Sequence, residues 1–188
     1  DGALNNPKPE VIFGMHVMAG MPSGNILYKD GAILNSADHL RIQVNGKQVH
    51  GSMPWLGHDP IYASSQMINN IQSLISRKAD LSKGMGVVSI GSIQGGTAGN
   101  VIPEQVNMTG TIRSNSENIR QNILKDLPKM IEYNALANDV TAKVEIAPYA
   151  PVTMNDKTLT KLMQPTLAKV VGDSKLRVLE NNSSASED

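Results

Sequence analysis

The chain has 188 residues, of which 40% are hydrophobic and 18% are charged, with 17 basic and 17 acidic side chains. Zero net charge, without Lys and Arg clusters beside aromatic residues, argues against nucleic acid and anionic membrane as partners. No apolar run reaches the ~20 residues that span a bilayer, and the absence of cysteine excludes disulfides and thiolate metal sites. We therefore expect a soluble protein that binds neither nucleic acid nor membrane.

The two ends of the sequence carry no terminal signal. The chain begins at Asp1, shows no signal-peptide pattern, and ends at Ser186-Glu187-Asp188 without a closing helix or strand. We expect an internal piece of a longer protein. A cytoplasmic location is expected, and a secreted or periplasmic one stays open because the true N-terminus is absent.

The first residues with a clear pattern are 10–17, which are almost entirely apolar. Such a run predicts a strand buried on both faces of a parallel sheet, and His16 lies at its end. From about Asp38 the pattern becomes the alternation of a half-buried strand. A domain boundary is therefore predicted near Ser36.

Six elements are predicted between residues 38 and 147, in the order β-α-β-β-α-β. The strands alternate apolar and polar residues, and the helices repeat apolar residues with a helical period. The strands are predicted near residues 38–45, 86–93, 105–113 and 141–147, and the helices after Asp59 and after a cap at Ser114 or Ser116. This order describes an α+β, ferredoxin-like fold, with an antiparallel four-stranded sheet and both helices on one face.

A glycine-rich turn, Gly95-Gly96-Thr97-Ala98-Gly99, separates the second predicted strand from the third. Asn100 follows the turn and Arg113 ends the third strand, so one stiff element holds two polar groups at its two ends. The turn lacks the Gly-Lys-Ser/Thr that cradles a phosphate, which argues against a nucleotide loop. From these residues alone, a hairpin whose Asn100 and Arg113 merely face water stays open.

Residues after 147 suggest a return to a different domain. Pro148 and Pro151 indicate a linker, residues 156–171 predict a third helix, and residues 176–179 predict a short strand. The polar run 181–188 fits either a disordered tail or a loop of a larger domain.

Several short motifs occur in one order along the chain. They are Gly14-Met15-His16-Val17, His50-Gly51-Ser52-Met53-Pro54, Asp59-Pro60, Gly95-Gly96-Thr97 with Asn100-Val101-Ile102-Pro103, Gly110-Thr111-Ile112-Arg113, and Ser186-Glu187-Asp188. In this order and spacing the chain resembles the metal-dependent amidohydrolases and exopeptidases. That group includes aminoacylases, hippurate hydrolase, indole-acetyl-amino-acid hydrolases and N-acetyl-diaminopimelate deacetylase. The resemblance extends over nearly the whole chain.

The resemblance implies a catalytic α/β domain with two divalent metal ions, zinc or manganese, and an inserted ferredoxin-like lid that makes a homodimer. Residues 37–149 would form the lid, and residues 1–36 and 150–188 would be parts of the catalytic domain. The substrate would be an N-acyl amino acid or a small peptide, cleaved at its amide bond by a metal-activated water. Because the other metal ligands and the general base would lie outside this chain, we expect the chain alone to be inactive and to hold no metal.

The resemblance also implies roles for four residues. His16 would be a metal ligand. His50 would reach across the dimer into the partner's site and donate to the developing oxyanion. Asn100 and Arg113 would hold the polar end of the substrate, since a guanidinium matches a carboxylate. A non-catalytic ferredoxin-like module for dimerisation or small-ligand binding is the alternative.

Other polar residues receive no catalytic role. His39 and His58 match no family position and are expected to be surface or structural residues. Glu187 and Asp188 match a loop near the substrate, but the general base would lie elsewhere. Some relatives bind the substrate carboxylate with an arginine where this chain has Tyr149-Ala150-Pro151, so specificity for an α-carboxylate stays open.

Overall fold

The computed structural model describes residues 2, 4–180, 183, 185 and 186. The strands are β1 (Ile26–Tyr28), β2 (Gly31–Leu34), β3 (Ala37–Asn45), β4 (Val49–His50), β5 (Gly86–Gly95), β6 (Val101–Ile102), β7 (Gln105–Ser114), β8 (Thr141–Ala150), β9 (Thr153–Asn155) and β10 (Leu176–Val178). The helices are α1 (Pro60–Ser73), α2 (Glu117–Ala137) and α3 (Lys157–Val171). None of the described helices is both long enough and apolar enough to cross a membrane.

The four long strands form one antiparallel sheet in the order β5-β7-β3-β8. Alternation sets the register, because a slip by one residue would move every apolar side chain of a strand to the wrong face. In β3, Leu40 and Ile42 are buried on one face, while Arg41 is exposed on the other. Ile42 lies opposite Met108 of β7, which is also buried. The sheet therefore has one apolar and one polar face.

Helices α1 and α2 cover the apolar face and share one core with it. The carboxylate of Asp59 caps α1 by accepting hydrogen bonds from the N–H groups of Ile61 and Tyr62, at 2.8 and 3.1 Å. Met67 of α1 and Leu127 of α2 are fully buried, and burial of each such side chain contributes about 1.5–3 kcal/mol. The element order predicted for residues 38–147 is thus present in the structure.

The cap of α2 is Ser116, one of the two serines that the sequence left open. The hydroxyl of Ser116 accepts a hydrogen bond from the N–H of Ile119 at 3.5 Å. The hydroxyl of Ser114 instead donates to the carbonyl of Met85 at 2.6 Å, which ties the end of β7 to the residue before β5. The helix then continues through Pro128 to Ala137.

The strand predicted over residues 10–17 is wrong for this structure. These residues form no helix or strand, and their large apolar side chains are exposed, Phe13 by 55% and Met15 by 94%. A strand buried on both faces needs neighbouring strands and covering helices, and the described residues provide neither around this segment. His16 consequently lies in an exposed segment rather than at the end of a buried strand.

The segments on either side of the central sheet pair with each other. β1 pairs in parallel with β10, and β2 pairs antiparallel with β9. The N–H of Ser36 donates to the carbonyl of Ser114 at 2.8 Å, and the N–H of Asn35 donates to the carbonyl of Ala185 at 2.8 Å. Residues just before β3 and residues after β10 therefore meet at the end of the sheet where β7 finishes.

A buried ion pair fixes that same end of the sheet. The guanidinium of Arg120 donates to both carboxylate oxygens of Asp38, at 2.8 and 2.6 Å, and also to Glu117 at 2.7 Å. The hydrogen bonds to Asp38 raise the pKa of Arg120 above its usual range. Burial acts to raise the pKa of Glu117, but hydrogen bonds from Gln121 and Arg120 outweigh it and hold that pKa below its usual value. The pair joins the start of α2 to the start of β3.

Candidate functional site

His50 lies in a loop, residues 47–58, whose two ends are held together by main-chain hydrogen bonds. The N–H of Lys47 donates to the carbonyl of His58 at 2.9 Å, and the N–H of His58 donates back to Lys47 at 3.1 Å. A Cβ at Gly46 would lie 2.1 Å from the carbonyl oxygen of His58, so the close approach requires glycine. Pro54 begins one turn of 3-10 helix inside the loop. The loop is thereby anchored at its base and stiffened within.

A two-stranded ribbon of β4 and β6 joins His50 to Asn100. His50 lies opposite Val101 in the pairing, and the N–H of Gly51 donates to the carbonyl of Asn100 at 2.7 Å. A Cβ at Gly51 would lie 3.1 Å from that carbonyl oxygen, so the ribbon has little room for a larger residue. The structure therefore brings two of the four predicted site residues, His50 and Asn100, to one place.

The imidazole of His50 is exposed, and Ser52 contacts one of its nitrogens. The hydroxyl oxygen of Ser52 lies 2.7 Å from Nδ1 of His50, and the N–H of Ser52 donates to the same nitrogen at 3.2 Å. Ser52 is not among the predicted site residues. The signal that could have identified it is its spacing, because Ser side chains and main-chain N–H groups commonly bond to a neighbour two residues away in a turn.

Arg113 lies at the opposite end of the sheet. The residue belongs to β7, which begins at Gln105, and eight residues of strand at 3.4 Å each place Arg113 about 27 Å from that start. Its guanidinium donates to the hydroxyl of Ser186 at 2.9 Å and is partly buried. Ser186 belongs to the last motif in the chain, whose Glu187 and Asp188 lie outside the described residues. Within one chain Arg113 is therefore not brought together with His50 and Asn100.

His16, the predicted metal ligand, is exposed. Across the described residues, no group of three or more His, Asp or Glu side chains is arranged to hold a metal ion. A single histidine does not fit a two-metal site, since each ion takes about three or four protein ligands. What these residues can do chemically is donate hydrogen bonds through His50 and Asn100 and bind an anion through Arg113.

The two remaining histidines lie away from this constellation. His39 is exposed on the polar face of the sheet, with its ring edge-on to Tyr149 at a centroid distance of 5.6 Å. His39, Arg41 and Thr109 help to line an open concavity of about 410 Å³ on that face. None of the predicted site residues lines it. His58 is exposed and supports the base of the loop through its main chain.

The fold and the site together define a class of protein. It is a mixed α/β chain in which a four-stranded sheet and two helices carry hydrogen-bond donors on an anchored loop, without a metal cluster among the described residues. The chain belongs to the peptidase dimerisation domain family of the M20 peptidases, whose model matches residues 35–152.

The chain is similar both to named proteins, by sequence, and to solved structures, by fold. It is 35% identical to N-acetylcysteine deacetylase of Bacillus subtilis over 169 residues. This alignment covers 90% of this chain and 44% of that protein. It is 31% identical to hippurate hydrolase of Campylobacter jejuni over 100% of this chain and 49% of that protein. Among solved structures, a dinuclear metal-binding peptidase of the M20 family from Bacillus subtilis is 30% identical with a TM-score of 0.75, over 99% of this chain and 45% of that one. The chain thus spans about half the length of the curated relatives it matches.

Proposed function

We propose that this chain is the lid and dimerisation part of a metal-dependent amidohydrolase or peptidase that hydrolyses the amide bond of N-acyl amino acids or small peptides. The names of the similar proteins support this class of reaction, because they describe a deacetylase of N-acetylcysteine, a hydrolase of hippurate and a dinuclear metal-binding peptidase. The two divalent ions, zinc or manganese, require ligands that the described residues do not supply.

The division into parts follows the sheet and the junctions around it. Residues 37–149 form a ferredoxin-like lid, and residues 1–36 and 150–188 belong to the catalytic domain. Support comes from the element order, from the antiparallel order β5-β7-β3-β8, and from the position of both helices on one face. The family match over residues 35–152 begins and ends within three residues of the same limits.

The observation that carries the proposal is the separation of His50 and Asn100 from Arg113. Arg113 lies about 27 Å along β7 from Gln105, the end of β7 that follows Asn100 and β6 in the chain, and this is too long for one small substrate to touch both ends of the sheet. A two-fold axis can place the loop of one protomer beside the opposite end of its partner. One complete site then takes His50 and Asn100 from one protomer and Arg113 and His16 from the other.

The side chains at the two ends have complementary tasks in such a site. His50 and Asn100 carry N–H donors on an anchored ribbon, and preorganised donors stabilise the negative charge that develops on the carbonyl oxygen during amide hydrolysis. Arg113 offers a planar guanidinium to the substrate carboxylate. Its hydrogen bond to Ser186 holds the guanidinium at the end of β7. Binding and charge stabilisation are thus divided between two protomers.

The homodimer forms through α1 and the outer edge of β5. Residues 60–73 and 86–95 contain no Asp, Glu, Lys or Arg, so the helix and the strand can be buried without removing a charge from water. β5 is an edge strand in the described sheet, and an edge strand without charges readily pairs with another chain. Exposed apolar side chains lie along the same side, Ile93 by 49% and Tyr62 by 57%. A second copy, paired edge to edge, covers them.

A non-catalytic module for dimerisation or small-ligand binding is the second candidate. The observation that favours it is that the matching family model describes a dimerisation domain, over residues 35–152. Such a module forms dimers, but no activity of the protein that carries it depends on a metal.

The proposal is tested by measuring turnover of the His50→Ala variant of the whole protein. The whole protein here means one as long as the relatives that the chain matches. Loss of one oxyanion donor lowers turnover by about a hundredfold or more, while sedimentation still shows dimers because His50 lies outside the α1 and β5 surface. His39→Ala is the matched control and keeps wild-type turnover. Unchanged turnover in His50→Ala would remove His50 from the mechanism.

A further inference from the structure

Ser52 lies in a tight turn at the site. The N–H of Met53 donates to the carbonyl of His50 at 2.9 Å, which closes a four-residue turn over residues 50–53. Inside this turn, two groups of Ser52 converge on one nitrogen of the imidazole. The hydroxyl oxygen lies 2.7 Å from Nδ1, and the main-chain N–H donates to Nδ1 at 3.2 Å.

The main-chain N–H identifies the nitrogen that carries the proton of His50. An N–H group can only donate, so Nδ1 must offer its lone pair, and a neutral imidazole then has its proton on Nε2. A proton on Nδ1 could be accepted by the hydroxyl oxygen of Ser52, but it would leave the main-chain N–H of Ser52 facing another N–H without its acceptor. The hydroxyl of Ser52 can rotate to donate to Nδ1 as well. With Nδ1 unprotonated, both groups of Ser52 can donate to it, and the main-chain N–H allows no other tautomer without losing its acceptor.

Ser52 is also the one described neighbour with this influence. Within the described part of the chain, the hydrogen bonds to the ring of His50 come from Ser52 alone. In many functional sites a carboxylate or carbonyl accepts from one ring nitrogen and so fixes the tautomer. Here the arrangement is the reverse. Groups of Ser52 donate hydrogen bonds to Nδ1, the ring nitrogen that carries no proton.

We propose that Ser52 is a positioning residue that holds His50 as the Nε2–H tautomer and directs Nε2 away from the loop. The consequence for catalysis rests on the proposed function, in which His50 donates to the oxyanion in the partner's site. With the other tautomer the ring would present a lone pair to the oxyanion and repel it. A donor that is already set needs no rearrangement during the reaction, which is what makes such groups effective.

The direct test is nitrogen NMR of the imidazoles in the 188-residue chain at about pH 8.5, where histidine is neutral. The expected spectrum shows His50 with Nε2 protonated and Nδ1 unprotonated, identified by the signals that disappear in His50→Ala. Ser52→Thr keeps this pattern, whereas Ser52→Ala, which retains only the N–H donor, shows a mixture of tautomers. Protonated Nδ1 in the wild-type chain, or a Ser52→Ala spectrum identical to wild type, would overturn the proposal.

A kinetic test in the whole protein separates positioning from general structural damage. Ser52→Ala lowers kcat by about two- to tenfold, the worth of one ordinary hydrogen bond, with KM unchanged, and Ser52→Thr restores kcat. In a His50→Ala background, Ser52→Ala has no further effect, because the group it acts through is gone. An equal loss in both backgrounds would show that Ser52 does not act through His50. If His50→Ala itself left turnover unchanged, the proposed function would fail while the NMR result still decided the tautomer.

Discussion

The two helices on the central sheet bury similar apolar stripes but present different outer surfaces. Residues 60–73 of α1 have no charged side chain, whereas α2 has six. The charged residues of α2 are Glu117, Arg120, Lys125, Asp126, Lys129 and Glu132. The two edge strands differ in charge in the same way as the helices. β5 has no charged residue, whereas β8 carries Lys143 and Glu145.

This difference in charge indicates which side of the molecule is suited to face solvent. Burying an unpaired charge is costly, and uncharged polar and apolar surface is much easier to bury. A surface of α2 and β8 with both signs of charge is suited to solvent, while the surface of α1 and β5 is suited to a second copy of the chain.

The largest expected effect comes from the charge that α2 turns inward. Arg120→Ala leaves the carboxylate of Asp38 buried without its partner, which destabilises the fold by about 3–5 kcal/mol, measured by urea unfolding of the chain. The control is Lys78→Ala, which breaks an exposed pair with Asp126 at 3.0 Å and costs at most about 1 kcal/mol. Equal losses in the two variants would contradict the role given to the buried pair.

The next effect concerns association. Asn69 is exposed on α1 and Asn118 is exposed on α2, so the same substitution can be made on both helices. Asn69→Glu places a carboxylate in the α1 surface of each protomer, and its burial beside a second copy weakens the dimer by about a hundredfold or more. Asn118→Glu leaves the dimer intact. Sedimentation equilibrium distinguishes the two, and a dimer weakened only by Asn118→Glu would reverse the assignment of surfaces.

The smallest effect is a pH dependence confined to the α2 side. Because hydrogen bonds hold the pKa of Glu117 below its usual value of 4.5, its ionised form stabilises the fold above that pH. This stabilisation is lost as pH falls from about 4.5 through the lower folded-state pKa. Glu117→Gln therefore flattens the fall in unfolding free energy below this pH, measured by urea titrations at several pH values. If the unfolding free energy of Glu117→Gln fell as steeply at acid pH as that of the wild type, this prediction would be contradicted.

The central elements could be predicted from the sequence because each is decided locally. Alternation in β3 and β7 leaves one face apolar, and Asp59 followed by Pro60 gives the start of α1 without any tertiary information. Those signals are enough for the order β-α-β-β-α-β. The choice between Ser114 and Ser116 as a cap could not be made, because the hydroxyl of Ser114 is taken by Met85 across the sheet.

What the sequence could not provide depends on contacts distant in the chain. The pair of Asp38 with Arg120 joins residues 82 positions apart, and the pairing of His50 with Val101 depends on where two loops meet. The strand predicted over residues 10–17 does not form, and the reason is the converse. Their composition matches a buried strand, but a strand forms only where neighbours pair with it, and the described residues do not pair there.

The claim that one active site takes His50 from one protomer and His16 from the other is tested most directly by complementation. Whole-protein variants His16→Ala and His50→Ala, each nearly inactive as a homodimer, are unfolded together, refolded and assayed. Half of the randomly formed dimers then contain one site with both histidines, so activity returns to about a quarter of wild type. No recovery in a mixture that sedimentation shows to contain mixed dimers would mean that His50 serves its own chain.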